Sequence, residues 1–201
     1  MSPAYSEGRN VMRRVIVTQN MTLDGSIEMC EPEPGSSPWF DPAASDDELA
    51  AEMHRQRTGA DALLLGRQTF EDFRGYWPHR EDDSTGTSDY LDRVAKYVVS
   101  ATLDDAGWEN TTVVQSDAVG YVRELTSAPG QDIVCTGSIT LCHTLIAAGL
   151  VDEYRLFVYP FVQGRGRRLF PDGYSTGGLT PAAPPLAFPG GVTLMRWRQV
   201  R

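Results

Sequence analysis

Three segments of the chain place glycine, hydroxyl and charged residues directly after short apolar runs. The first is Leu65-Gly66-Arg67-Gln68-Thr69, following Ala62-Leu63-Leu64. A glycine at the end of a buried strand, with Arg67 and Thr69 opening a helix, gathers backbone N–H groups, a hydroxyl and a guanidinium around one anion. The bland alternative is a plain turn with a solvated Arg67. The second is Cys135-Thr136-Gly137-Ser138, which opens the helical stretch beginning Ile139-Thr140 and offers a phosphate cradle by the same physics. The third runs Thr18-Gln19-Asn20-Met21-Thr22-Leu23-Asp24-Gly25-Ser26-Ile27, where Asp24 is either a turn residue or a functional carboxylate. Ser100 closes a further apolar run, Tyr97-Val98-Val99. Two cradles and a hydroxyl at neighbouring strand ends suit one extended ligand with several phosphates, because α/β sheets bind ligands outside the carboxyl ends of their strands.

Other residues carry less. Trp39 and Phe40 lie in a proline-rich loop over residues 30–44; Trp39 either roofs a substrate pocket, stacking on a planar ring, or anchors the loop. Arg165, Arg167 and Arg168 read as a solvated basic run. His54, His79 and His143 are too scattered for metal spacing, so no metal site is expected. There is no Walker A pattern, no His-Glu-x-x-His and no Gly-x-Ser-x-Gly elbow. The Gly164–Leu169 segment fails the dinucleotide glycine pattern at its last position.

The elements that must position these residues alternate. Val15–Thr18, Ala62–Leu65, Tyr97–Ser100, Thr111–Val114, Ile133–Thr136 and Tyr154–Tyr159 read as strands. Helices are expected over 46–58, opened by a Ser45/Glu48 capping box, and over 67–73, 119–125 and 139–148. Residues 78–89 read as a charged surface loop. The last 25 residues, punctuated by Pro181, Pro184, Pro185 and Pro189, suggest a closing β-hairpin. The class is therefore α/β: a mixed, mostly parallel sheet with helices on both faces, in three layers, and a C-terminal antiparallel hairpin. A loose arm is expected over 1–12 and a single domain over 13–201.

With 201 residues the chain can build a core without staples. A net charge of −9 and a pI near 4.8 disfavour nucleic acid and anionic membranes. Three cysteines cannot close a full disulfide set, so a reducing compartment is expected. No leader and no apolar run of about 18 residues is visible, which makes the cytoplasm the expected location.

In order and spacing, several of these pieces resemble the dihydrofolate reductase-like superfamily, in particular the C-terminal reductase domain of the riboflavin-pathway deaminase/reductase. They are Thr22-Leu23-Asp24-Gly25, Asp61 to Thr69, Tyr97 to Ser100, Gly137-Ser138, Ala148 to Leu156, and Pro160 with Gly164 to Phe170. The resemblance implies NADPH as hydride donor to a small conjugated heterocycle, pterin- or pyrimidine-like. It also implies roles by position. Gly66, Arg67 and Thr69 would hold cofactor phosphates. Ser100 would approach the adenosine 2′-phosphate. Gly137, Ser138 and the amides of Ile139 and Thr140 would hold the pyrophosphate. Thr18, Leu23 and Gly25 would border the nicotinamide, and Asp24 would act on the substrate ring as the catalytic carboxylate. The stretch after Thr69 departs from the family, reading Phe70-Glu71-Asp72-Phe73 where riboflavin reductases carry Asp-Pro-x-Leu. A nucleotide-binding member that has lost turnover is the competing expectation. A homodimer closing over the apolar hairpin is also expected.

Overall fold

The computed structural model describes residues 12–32, 34–41, 46–80, 83 and 85–200. The arm expected over 1–12 lies outside them except for Met12, as does the Ser45 of the expected capping box. Fourteen of the described residues' runs form the secondary structure: strands β1 (Val15–Thr22), β2 (Ala60–Gly66), β3 (Ala95–Val99), β4 (Thr111–Val114), β5 (Asp132–Thr136), β6 (Glu153–Tyr159), β7 (Leu179–Ala187) and β8 (Thr193–Gln199), helices α1 (Asp47–Arg57), α2 (Arg67–Tyr76), α3 (Thr87–Arg93), α4 (Ala118–Ser127) and α5 (Ile139–Ala147), and a 3₁₀ turn at Trp77–His79.

The eight strands make one sheet in the order β4-β3-β2-β5-β1-β6-β8-β7. The first six are parallel, while β8 runs antiparallel to both β6 and β7. The parallel strands are apolar on both sides because both are covered. Val15, Val17, Leu64 and Cys135 pack with Val122 of α4 and with Leu141, Cys142, Leu145 and Ile146 of α5. On the opposite face Ile16, Leu63, Leu65 and Val98 pack with Phe70 of α2 and Leu91 of α3. Leu49 and Met53 of α1 close over Phe157, Phe188, Val192 and Leu194. No helix among the described residues is long and apolar enough to cross a membrane.

One element departs from the sequence reading. The expected loop at 78–89 ends in α3, whose short run hides a single buried residue, Leu91, too little for a helical period to show. Its last turn is held from outside the helix: the Lys96 ammonium, fully buried on β3, donates to the carbonyls of Leu91 (2.5 Å) and Val94 (3.1 Å). The expected C-terminal antiparallel hairpin is formed by β7 and β8, and the prolines fall in β7. Proline is tolerated there because β7 is an edge and its pairing with β8 is bulged at two places. At the start of α1 the N-cap is Asp46, whose carboxylate accepts from Leu49 N (3.0 Å).

Candidate functional site

The order of the strands puts β5 between β2 and β1, so the helices that leave β2 and β5 start side by side. Each starts without a side-chain cap. Their first N–H groups therefore have no intrahelical or side-chain acceptor and face the carboxyl edge of the sheet with the positive ends of two helix dipoles. The two expected cradles are locked into one. Ser138 Oγ accepts from Gly66 N (2.9 Å), and Thr69 Oγ1 accepts from Ser138 N (2.8 Å). Gly137 and Ser138 both sit in the left-handed region, at φ 55° and 50°. Ser138 holds that conformation because these bonds over-determine it. Gly137 must be glycine for a second reason: a Cβ would lie 2.7 Å from Thr69 Cγ2.

Beside this cradle opens a cavity of about 1200 Å³. Of the residues singled out in the sequence, Thr18, Trp39, Gly66, Arg67, Thr69, Gly137, Ser138, Ile139 and Thr140 all line it. Arg67 is half exposed and pairs along its own helix with Glu71 (3.2 Å). Thr18 Oγ1 donates to the Arg155 carbonyl (3.3 Å). Trp39, Phe40 and Tyr159 form a wall of rings with centroids 5.5–5.9 Å apart, and the Trp39 indole N–H is buried without an acceptor. Burial pushes the Tyr159 hydroxyl up to about 12, so it stays protonated.

Four expected site residues stand elsewhere. Asp24 is absent from the cavity wall; its carboxylate accepts from Thr22 Oγ1 (2.7 Å), Gln163 N (3.1 Å) and Gly164 N (2.8 Å). The Thr22 hydroxyl, with the two backbone N–H groups, lowers its pKa to about 2. A carboxylate so engaged holds the Thr22–Ser26 turn against the loop after β6 and carries no proton near neutrality. Leu23 is exposed and gives its N–H to the Phe161 carbonyl (2.8 Å). Gly25 serves the same turn at φ 90°. Ser100 is buried off the cavity, its Oγ accepting from Thr102 N (3.2 Å) and Leu103 N (3.0 Å), which turns the chain after β3.

Sequence reasoning missed three groups on the wall. Arg57, at the end of α1, gives its guanidinium to Thr87 Oγ1 and the Thr85 carbonyl, leaves Nε buried without a partner and makes no ion pair among the described residues. Burial pulls its pKa below the ordinary value. Leu49, Met53 and Gln56 of α1 line the cavity, and Arg57 continues that face. Glu28 and Arg167 pair across the mouth at 2.7 Å, joining the loop after β1 to the loop after β6. Gln19 is 4% exposed and also lines the cavity.

Against known proteins, the family model for the RibD C-terminal domain matches residues 13–183. The "Uncharacterized protein YyaP" of Bacillus subtilis is 33% identical over 165 residues, covering 80% of this chain and 81% of that protein. The "Uncharacterized protein YwjB" of the same organism is 25% identical over 158 residues, 79% of this chain and 83% of that one. Among solved structures, a pyrimidine reductase-like protein from Corynebacterium diphtheriae superposes with a TM-score of 0.63 at 16% identity, covering 94% of this chain and 92% of that chain. A diaminohydroxyphosphoribosylaminopyrimidine deaminase/5-amino-6-(5-phosphoribosylamino)uracil reductase from Thermotoga maritima superposes with a TM-score of 0.61 at 18% identity; this chain is covered over 94% and spans 57% of that one. At these identities the superpositions establish the shared fold.

Proposed function

The chain belongs to the RibD C-terminal domain family, and from that premise we propose that it is an NADPH-dependent reductase of a small conjugated heterocycle, pyrimidine- or pterin-like, that carries an anionic group. The observation that carries this reading is the double helix-end cradle. Gly66, Thr69, Gly137 and Ser138 interlock so that the first amides of α2 and α5 open side by side, and Gly137 lets the two helix starts approach closely because it has no Cβ to meet the Thr69 side chain. A dinucleotide with two phosphates fits such a pair of helix ends. NADPH supplies the hydride when bound; the chain binds it, shields the acceptor ring from water and orients it. Arg67, at the rim on the β2 side, is the guanidinium placed to meet the 2′-phosphate.

Arg57 supports the anionic group on the substrate. Its guanidinium lies over the Tyr90 ring (5.9 Å) and feels the charge of Asp83, but it makes no ion pair among the described residues, so a phosphate or carboxylate on the ligand would gain a charge-assisted bond from it. The ring wall of Trp39, Phe40 and Tyr159 suits a planar acceptor at the other end.

One observation favours the second reading, a nucleotide-binding member without turnover. Three carboxylates on or near the wall are already engaged as acceptors: Glu28 from Arg167 Nε (2.8 Å), Asp46 from Leu49 N and Gly190 N (both 3.0 Å), Asp24 as described. These bonds hold all three below their ordinary pKa, which disfavours each as a proton donor.

Calorimetric titration with NADPH and NADH, followed by NADPH consumption with a panel of phosphorylated pyrimidines and pterins, tests both. NADPH is expected to bind about tenfold tighter than NADH, the size of one charge-assisted hydrogen bond. Arg67→Ala narrows that gap, and so does added salt. Equal affinities in the unmutated protein overturn the role of Arg67. Tight NADPH binding with no turnover on any compound selects the second reading.

A further inference from the structure

Gln19 is buried on β1, on the face that looks toward α5, and its side chain is used at one end only. Nε2 donates to the Gly137 carbonyl (2.6 Å) and to Cys142 Sγ (3.2 Å). Both partners are acceptors, which fixes the amide orientation. Turning it over would press a carbonyl oxygen against another at 2.6 Å. Oε1 therefore points away from Gly137, and no hydrogen bond from the described residues reaches it. Gln19 lines the cavity, so this oxygen is an acceptor held in a fixed orientation where a ligand can donate to it.

The topology says which part of the ligand. With β5 between β2 and β1, a dinucleotide whose phosphates rest on the Gly137–Ser138 cradle extends one end toward Arg67 on the β2 side and the other toward β1. The 2′-phosphate belongs at Arg67, which leaves the nicotinamide ring for β1. The hydrogen-bond donor of that ring is its carboxamide NH2. We propose that Gln19 Oε1 accepts from this NH2, so that Gln19 is the residue that fixes the rotation of the nicotinamide ring and with it the face presented to the substrate. The proposal rests on the cofactor reading above. It also gives Gln19 a double role: Nε2 steadies the carbonyl of the residue that opens the cradle, and Oε1 reads the group that the cradle delivers.

The test compares three ligands by calorimetry: NADPH, its reduced 3-acetylpyridine analogue, in which a methyl replaces the amide NH2, and 2′-phospho-ADP-ribose, which lacks the ring. The unmutated protein is expected to bind NADPH about tenfold tighter than the acetylpyridine analogue. In Gln19→Met the two bind within about twofold of each other. Loosening of the cradle by the substitution weakens both equally and is read separately from 2′-phospho-ADP-ribose, so the ratio reports the carboxamide alone. Equal affinities in the unmutated protein, a comparison that needs no variant, overturn the assignment while leaving the cofactor reading in place; so does a tenfold gap that survives in Gln19→Met. If neither NADPH nor 2′-phospho-ADP-ribose binds, the cofactor reading falls and the proposal with it.

Discussion

Asp24 shows how much a residue's meaning depends on what its neighbours donate. The type and the position, at a strand end before glycine, suit a catalytic acid. The three donors around it make it a fastener between the Thr22–Ser26 turn and the Gln163–Gly164 backbone. Because its pKa is lowered to about 2, the folded state holds the ionised form more firmly than the unfolded chain does. That stabilisation is fully present above about pH 4, the unfolded value, and is lost as pH falls toward 2. Asp24→Asn is therefore expected to lower Tm by a few degrees at pH 7 and to converge on the unmutated protein near pH 2. In any reductase assay its pH profile between 5 and 9 keeps the unmutated shape. A new limb in that range would restore an acid role. Gly66, Arg67, Thr69, Gly137 and Ser138 were legible in the sequence because their chemistry is local, a glycine between an apolar strand and a helix start. Gln19 and Arg57 were not, because each is defined by a partner far along the chain: Gly137 is 118 residues from Gln19, and Thr87 is 30 from Arg57.

Among the elements, β1, β6 and β8 are riveted at the end of the sheet away from the cradle. Glu153, fully buried at the start of β6, receives Arg155 Nε (2.9 Å) and Arg196 Nη2 (2.7 Å) on one oxygen and Arg14 Nη1 (3.2 Å) on the other. Burial alone would raise its pKa, but the bonds from Arg155 and Arg196 outweigh it and the net shift is downward. Glu153→Gln keeps the shape and removes the charge, leaving buried Arg155 with only the more distant Asp132 carboxylate, 3.9 Å away and already paired with Arg14. The expected loss is about 3–5 kcal/mol in denaturant unfolding. A loss under about 1 kcal/mol would mean that Asp132 alone neutralises the arginines. The same dependence on distant partners hid α3, whose final carbonyls are satisfied by Lys96, whereas the hairpin of β7 and β8 was announced by its prolines and the Pro189-Gly190-Gly191 turn. β2, β5 and β6 were plain because each carries a run of apolar residues long enough to bury both faces.

For the molecule as a whole, the edges of the sheet decide how it meets a second copy. The terminal hairpin looked like a surface that pairing would cover, and it ends the sheet as β7. Of its nine residues, Pro181, Pro184 and Pro185 have no N–H to give, and the pairing with β8 shifts register between Pro181 and Ala183 and again between Ala183 and Leu186. An edge that is short of donors and bent cannot template another strand. The prolines so read keep an otherwise apolar strand from propagating the sheet edge to edge. Replacing Pro181, Pro184 and Pro185 together with threonine restores three donors and a strand-forming residue at each position. The variant is expected to keep the cofactor affinity of the parent, since β7 lies two strands beyond β6 and away from the cradle. It is also expected to self-associate with rising concentration. Light scattering over a concentration series reads the second effect and calorimetry with NADPH the first. A parent whose mass already rises with concentration, and a variant that follows the same curve, would show that the prolines do not guard the edge.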